Sequence, residues 1–96
     1  MYMENTIEKA VKRICRMERI YDILSVSLLE APEKLVSDPY TKDMLDTLIQ
    51  YYESGEWLKD FKLDEQGLIP KDIKRGVLSE DGVFNLLEEI QDLLEK

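Results

Sequence analysis

Hydrophobic positions along the first third of the chain recur at helical spacing. Ile7, Ala10, Ile14, Met17, Tyr21, Leu24 and Leu28 follow one another in steps of three and four, a heptad seam that predicts a helix over about Glu4 to Glu30. Asn5 or Thr6 is placed to cap it, with Glu8 near the first turn. Val11 and Leu29 widen the stripe. Ile20, Ile23 and Val26 fall off it, so the second half of the helix is expected to be covered by more than one neighbour. Ala31-Pro32 ends the helix, because a residue before proline is pushed out of the α region. Residues 33–37 form a short connector with room for one helical turn. Asp38-Pro39 then signals a new start, with Asp as N-cap and Pro at the first helical position. The second long helix is predicted from Pro39 to about Glu53, with Met44, Leu45, Leu48, Ile49 and Tyr52 inward. Ser54-Gly55 is its stop. The two long helices are expected to pair as an antiparallel hairpin.

The pattern is less regular from residue 51 to residue 81. A short helix is predicted from Glu56 to about Asp64, with Trp57, Leu58 and Phe61 as its apolar positions and Asp60 and Asp64 one turn apart on a single face. Gly67 stops it. Leu68-Ile69-Pro70 cannot continue a helix and is expected to lie extended across the bundle, with one further helical turn over 70–74. Val77 and Leu78 re-enter the core. Ser79 is an N-cap candidate, with Glu80 and Asp81 in the first turn of a last helix that buries Val83, Phe84, Leu86, Leu87, Ile90, Leu93 and Leu94. The connection 65–78 is long for a compact domain, and its apolar residues argue that it is packed. The fold class read from this pattern is all-α. It is a small helical bundle in a single domain over 1–96, built on a long helical hairpin with a short third helix, a packed irregular loop and a C-terminal helix.

Charge changes the picture in one place. The chain of 96 residues has a formal charge of -8. Residues 1–31 hold five basic and five acidic side chains, and residues 32–96 hold eight and sixteen. An acidic surface repels phosphate, so no nucleic-acid partner is expected. The basic residues Lys9, Lys12, Arg13, Arg16 and Arg19 fall within about 120° of arc on the first helix, opposite its seam. That stripe reads as a solvated face that balances the acidic remainder, or as a dock for an acidic partner. The heptad seam itself serves an intramolecular bundle or a homodimer through the first helix.

Candidate chemistry is thin. There is no His, so the usual general base and the commonest metal ligand are both missing. Cys15 is alone, so neither a disulfide framework nor a thiolate metal cluster is expected. The N-terminal residues carry neither a basic leader nor an apolar core of a signal, and no apolar run nears the roughly 20 residues that span a bilayer. A cytoplasmic protein with no membrane partner is the expectation. Asp60, Asp64, Glu65 and Asp81 invite a metal reading, but no EF-hand loop occurs and two carboxylates per helical turn do not complete a site. The favoured alternative is a structural clamp in which Asp60 or Asp64 pairs with Arg75 or Lys74.

Tyr51-Tyr52-x-Ser54-x-x-Trp57-x-x-Asp60-x-x-x-Asp64-Glu65-x-Gly67-x-x-Pro70, followed by Lys74-Arg75-Gly76-Val77-Leu78-Ser79-Glu80-Asp81, resembles the bacterial domain of unknown function 4298 family. The likeness is close over about a third of the chain, and the ungapped run KRGVLSED is specific. The resemblance implies a small, mostly helical, stand-alone protein and brings no mechanism. The Ala31-Pro32 and Asp38-Pro39 breaks interrupt this copy's hairpin more than the family pattern does.

Two functional readings follow. One is a non-enzymatic interaction or regulatory module with no cofactor and no catalytic residues. It would offer the 57–81 unit or the basic stripe to a protein partner. The other is a small-ligand or anion binder, with Lys74 and Arg75 as charge contacts and Trp57 and Tyr52 as walls. The state of Arg75, open or paired with a carboxylate, discriminates them.

Overall fold

The computed structural model describes residues 4–95, with side chains from Thr6 onward. Five helices run in the order α1 (Glu4–Glu30), α2 (Glu33–Ser37), α3 (Pro39–Glu53), α4 (Glu56–Glu65) and α5 (Gly82–Leu94), with a 3-10 turn at Gly76–Leu78 before α5. No strand occurs among the described residues, so the all-α bundle of the sequence pattern is the fold. Neither glycine nor proline interrupts α1. Its 27 residues cover about 40 Å at 1.5 Å each, nearly the 46 Å long axis of the molecule. The other elements pack along it. Helix α3 lies against α1, α2 and α4, and the 3-10 turn lies against α1, α4 and α5.

The seam of α1 faces inward. Ala10, Ile14, Met17 and Leu24 are buried, and Ile7, Tyr21 and Leu28 pack at the edge of the same core. Ile20 is buried as well, but Ile23 is 39% exposed and Val26 52%. The outer side of the helix therefore keeps apolar residues that no neighbour covers. Thr6 lies inside the helix rather than ahead of it, and a cap from the Asn5 side chain falls outside what is described.

The breaks behave as local chemistry demands. Residues 33–37 do form a helical turn, and it carries Leu35 fully into the core. Asp38 caps α3: its carboxylate accepts from the Thr41 backbone N–H at 3.0 Å and from the Thr41 hydroxyl at 2.7 Å. These bonds hold the Asp38 carboxyl below its ordinary pKa. Gly55 takes the left-handed conformation (φ +94°) that joins α3 to α4. Gly67 (φ +75°) closes α4 in a Schellman arrangement, with Leu68 N–H on the Leu63 carbonyl at 3.1 Å and Gly67 N–H on the Asp64 carbonyl at 3.0 Å.

Several expected placements change. Tyr51 is in the core at 1% exposure, although the stripe read from the sequence skipped it. In α4 the inward positions are Asp60 and Leu63, and Leu58 faces out at 48%. Residues 71–74 turn without becoming helical. Ser79 does not cap α5. Its N–H is held by the Gly76 carbonyl at 3.1 Å and its backbone is extended, the chain turns over residues 80 and 81, and the helix begins only at Gly82. Asp81 then takes the N-cap place without a side-chain bond. The inward face of α5 is Val83, Leu86 and Ile90, flanked by Leu87 and Leu93, so Phe84 and Leu94 point outward at 48% and 46%.

Candidate functional site

The last turn of α3, the inward face of α4 and the middle of α1 meet at one carboxylate. Asp60 is fully buried. It accepts from Tyr51 Oη at 2.7 Å and from Arg13 Nε at 2.9 Å, and a second Arg13 nitrogen, Nη2, completes a fork on the other oxygen. A buried charge needs both a counter-charge and hydrogen bonds, and here it has both. Glu56 lies 3.9 Å from the same guanidinium. The hydrogen bond to Asp60 raises the pKa of Arg13 further. Burial, with the bond to Asp60 second, pushes the Tyr51 phenol far above its usual range.

Arg13 is thus the correction to the basic stripe. Four of its five members lie on the exposed surface, but Arg13 turns into the bundle. It sits four and seven residues before Met17 and Ile20, both buried, so it occupies the border of the core face. That shared row is the one signal in the sequence that pointed inward.

A second brace joins α4 to the loop. Arg75 Nη1 donates to Asp64 and Arg75 Nη2 to the Pro70 carbonyl. The expected clamp is therefore formed by Asp64 and Arg75. Asp60 takes no part in it, because Arg13 and Tyr51 already hold that carboxylate. Lys74 is on the surface at 82% side-chain exposure, 3.8 Å from Asp22 of α1.

The third brace holds the 3-10 turn. Val77 is fully buried, and both its backbone groups are held by side chains from other elements. Its N–H donates to Glu18 Oε1 at 2.7 Å, and its carbonyl accepts from Trp57 Nε1 at 2.8 Å. A 3-10 turn of three residues leaves such groups without backbone partners, so the side chains complete it. A Cβ on Gly76 would stand 3.3 Å from a Glu18 carboxylate oxygen, which explains a glycine beside that bond. Trp57 is set by its neighbours: Phe61 stacks on it at 5.1 Å and Tyr52 meets it edge-on at 5.3 Å.

The predicted residues Tyr52, Trp57, Asp60, Asp64, Lys74 and Arg75 fall into these braces, apart from the exposed Lys74. Arg13, Glu18 and Tyr51 are the partners that sequence reasoning missed. Among the described residues, no group of three acidic or sulfur side chains is placed to hold a metal ion, and no helix is long and apolar enough to cross a membrane.

Tyr51 makes the site sensitive to base. An unfolded tyrosine ionises near its ordinary value of 10.0, whereas the folded phenol keeps its proton well above that. The contribution is complete below pH 10 and is lost as the pH rises beyond it. The unfolding free energy of the native chain should therefore fall as the pH rises above about 10, and Tyr51→Phe should flatten that dependence. Identical alkaline profiles would refute the assignment.

An all-α bundle cross-braced by buried and half-buried ion pairs defines the structural class. The family model described as Domain of unknown function (DUF4298) matches residues 14–96, and the chain belongs to this family. The match begins just past Arg13 and includes every other residue of the three braces. Comparison with curated proteins and with solved structures gave no match.

Proposed function

We propose that this chain is a non-enzymatic protein-interaction or regulatory module of the bacterial cytoplasm. The observation that carries the reading is the engagement of the signature's polar groups with one another. The carboxylates of Asp60 and Asp64, the guanidinium of Arg75 and the indole N–H of Trp57 each have a partner inside the chain. A catalytic site keeps acid, base or nucleophile directed at a substrate; these residues instead tie the helices to one another and the loop to the bundle. The pairing of Arg75 also weighs against the anion-binding alternative, which needs that guanidinium free, with Trp57 and Tyr52 as open walls.

The surface left to meet a partner is the outer side of α1. Lys9, Lys12, Arg16 and Arg19 are exposed there, and none has an acidic side chain within 4 Å among the described residues. The acidic remainder of the chain disfavours nucleic acid as that partner. Homodimerisation through the heptad seam would require opening the core that the seam now fills.

Affinity capture of the tagged chain at native expression, followed by mass spectrometry, tests the reading. A partner that is retained by the native chain and lost with Lys12→Glu/Arg16→Glu is the expected result. Failure to retain any protein across several growth conditions would sink it.

A further inference from the structure

Two open grooves lie along α1, on the flank between its core face and its outer face. One, of about 600 Å³, is lined by Ile7, Glu8, Val11, Lys12 and Pro70. The other, of about 430 Å³, is lined by Cys15, Arg19, Ile23, Ile73 and Lys74, with Glu18 and Asp22. Ile7, Val11, Cys15, Arg19 and Ile23 are spaced four apart, so the two grooves follow a single ridge of one helix. That ridge runs about 24 Å from Ile7 to Ile23. The braced loop supplies the facing wall, with Pro70 beside the first groove and Ile73 and Lys74 beside the second.

The exposed charge along and beside this trough is net positive: Lys12, Arg16, Arg19 and Lys74 stand against Glu8 and Asp22. The Glu18 carboxylate is buried against the Val77 N–H, and Asp22 faces Lys74. Glu8 is the remaining acid among the lining residues. Lys12, Arg16 and Arg19 stand exposed on or beside the ridge without acidic partners among the described residues. A ridge of this length, with Ile7, Val11 and Ile23 as its apolar members and unpaired cations on and beside it, matches helix-in-groove recognition, in which anchors at helical spacing enter the groove and flanking charges set orientation.

We propose that this trough docks one acidic amphipathic helix of a partner protein. The apolar face of that helix lies between Val11, Ile23 and Ile73, and its carboxylates meet Lys12, Arg16 and Arg19. The proposal rests on the interaction-module reading and names the chemistry of the partner.

Cys15, the chain's one cysteine, is exposed on the ridge and reports occupancy directly. The experiment measures the rate of Cys15 alkylation by iodoacetamide in the full chain. The probe is a synthetic amphipathic peptide with Leu on one helical face and Glu on the other. A control peptide carries Lys in place of every Glu. The acidic peptide should slow alkylation saturably, by about tenfold at a concentration ten times its Kd, and added salt should weaken the effect. Arg19→Glu should weaken protection at least about tenfold, about 1.4 kcal/mol, without moving the thermal midpoint. Equal protection by the Lys peptide would overturn the proposal. So would no protection by the acidic peptide at about 1 mM, the range of weak recognition. Protection that appears without peptide as protein concentration rises would overturn it too, because a second copy would then occupy the trough. If the peptide fails while affinity capture returns a partner, the docking proposal falls and the interaction module stands.

Discussion

Arg13→Met should cost about 3–5 kcal/mol of folding stability, the usual consequence of stranding one member of a buried ion pair. The fully buried carboxylate of Asp60 would keep only the Tyr51 hydroxyl as a partner. That is a large share of the roughly 5–15 kcal/mol that holds a typical domain together. Urea titration followed by circular dichroism reads the loss as a shift in midpoint at constant slope. The companion variant decides the mechanism. Arg13→Met/Tyr51→Phe/Asp60→Leu removes the charge, its partner and the hydroxyl together, leaving no orphaned polar group. It should recover most of the lost stability, because apolar replacement of a complete buried polar set is often neutral or better. A single variant within about 1 kcal/mol of the native chain, the ordinary worth of an exposed pair, would show that Arg13 is a surface residue after all.

Trp57→Ala should be the second most damaging change, at about 3 kcal/mol, the lower end for truncating a large aromatic, since the indole is half-buried. It loses the Phe61 stack and the Tyr52 edge contact, and it strips the Val77 carbonyl of its donor. Trp57→Phe separates these effects. It keeps an aromatic ring on Phe61 but has no Nε1–H, so its cost should be about 1–3 kcal/mol, that of an unpaired buried acceptor. Amide hydrogen exchange at Val77 and Leu78 should quicken in the same variant as the turn loosens. Native-like stability and exchange in Trp57→Phe would show that the indole bond does not hold the turn.

The two variants act on different kinds of information. Helix ends were legible because each depends on a few adjacent residues. Asp38-Pro39 starts α3, Gly55 and Gly67 take left-handed turns, and Pro32 ends α1, all through local sterics and local hydrogen bonds. The seam of α1 was legible because its repeat is long and regular. The last helix starts later than its cap chemistry predicts: Ser79 is extended as a cap residue is, but the chain turns over residues 80 and 81 and the helix begins at Gly82. Phe84 and Leu58 show the limit of hydrophobicity as a guide. Each is apolar, yet each lies about 100° or more around its helix from the residues that helix buries, Asp60 and Leu63 for Leu58 and Val83, Leu86 and Ile90 for Phe84.

The braces were only partly legible. Asp64 and Arg75 are 11 positions apart, and the clamp between them was readable as opposite charges at the two ends of one loop. Asp60 looked like the same kind of residue one turn earlier, yet its partner comes from 47 positions away, and the partner of Val77 N–H from 59. On a helical wheel Arg13 and Glu18 are charged residues at the edge of an apolar stripe, where solvent would satisfy them equally well. Which edge residues turn in depends on which backbone or side-chain group arrives opposite them, and that is fixed only when α3, α4 and the loop dock on α1.

By itself, then, the sequence determined the long helices and most of their ends, the inward face of α1, the family and the absence of a histidine-based chemistry. Tertiary structure alone decided that one arginine of a basic stripe turns inward onto a buried carboxylate, that Tyr51 and Glu18 complete buried bonds, and that the loop from Pro70 to Lys74 walls a groove on α1. The reason is the range of the forces involved. Local propensities and caps are written in neighbouring residues, whereas a buried charge or an orphaned backbone group finds its partner through packing of segments that are distant in the chain.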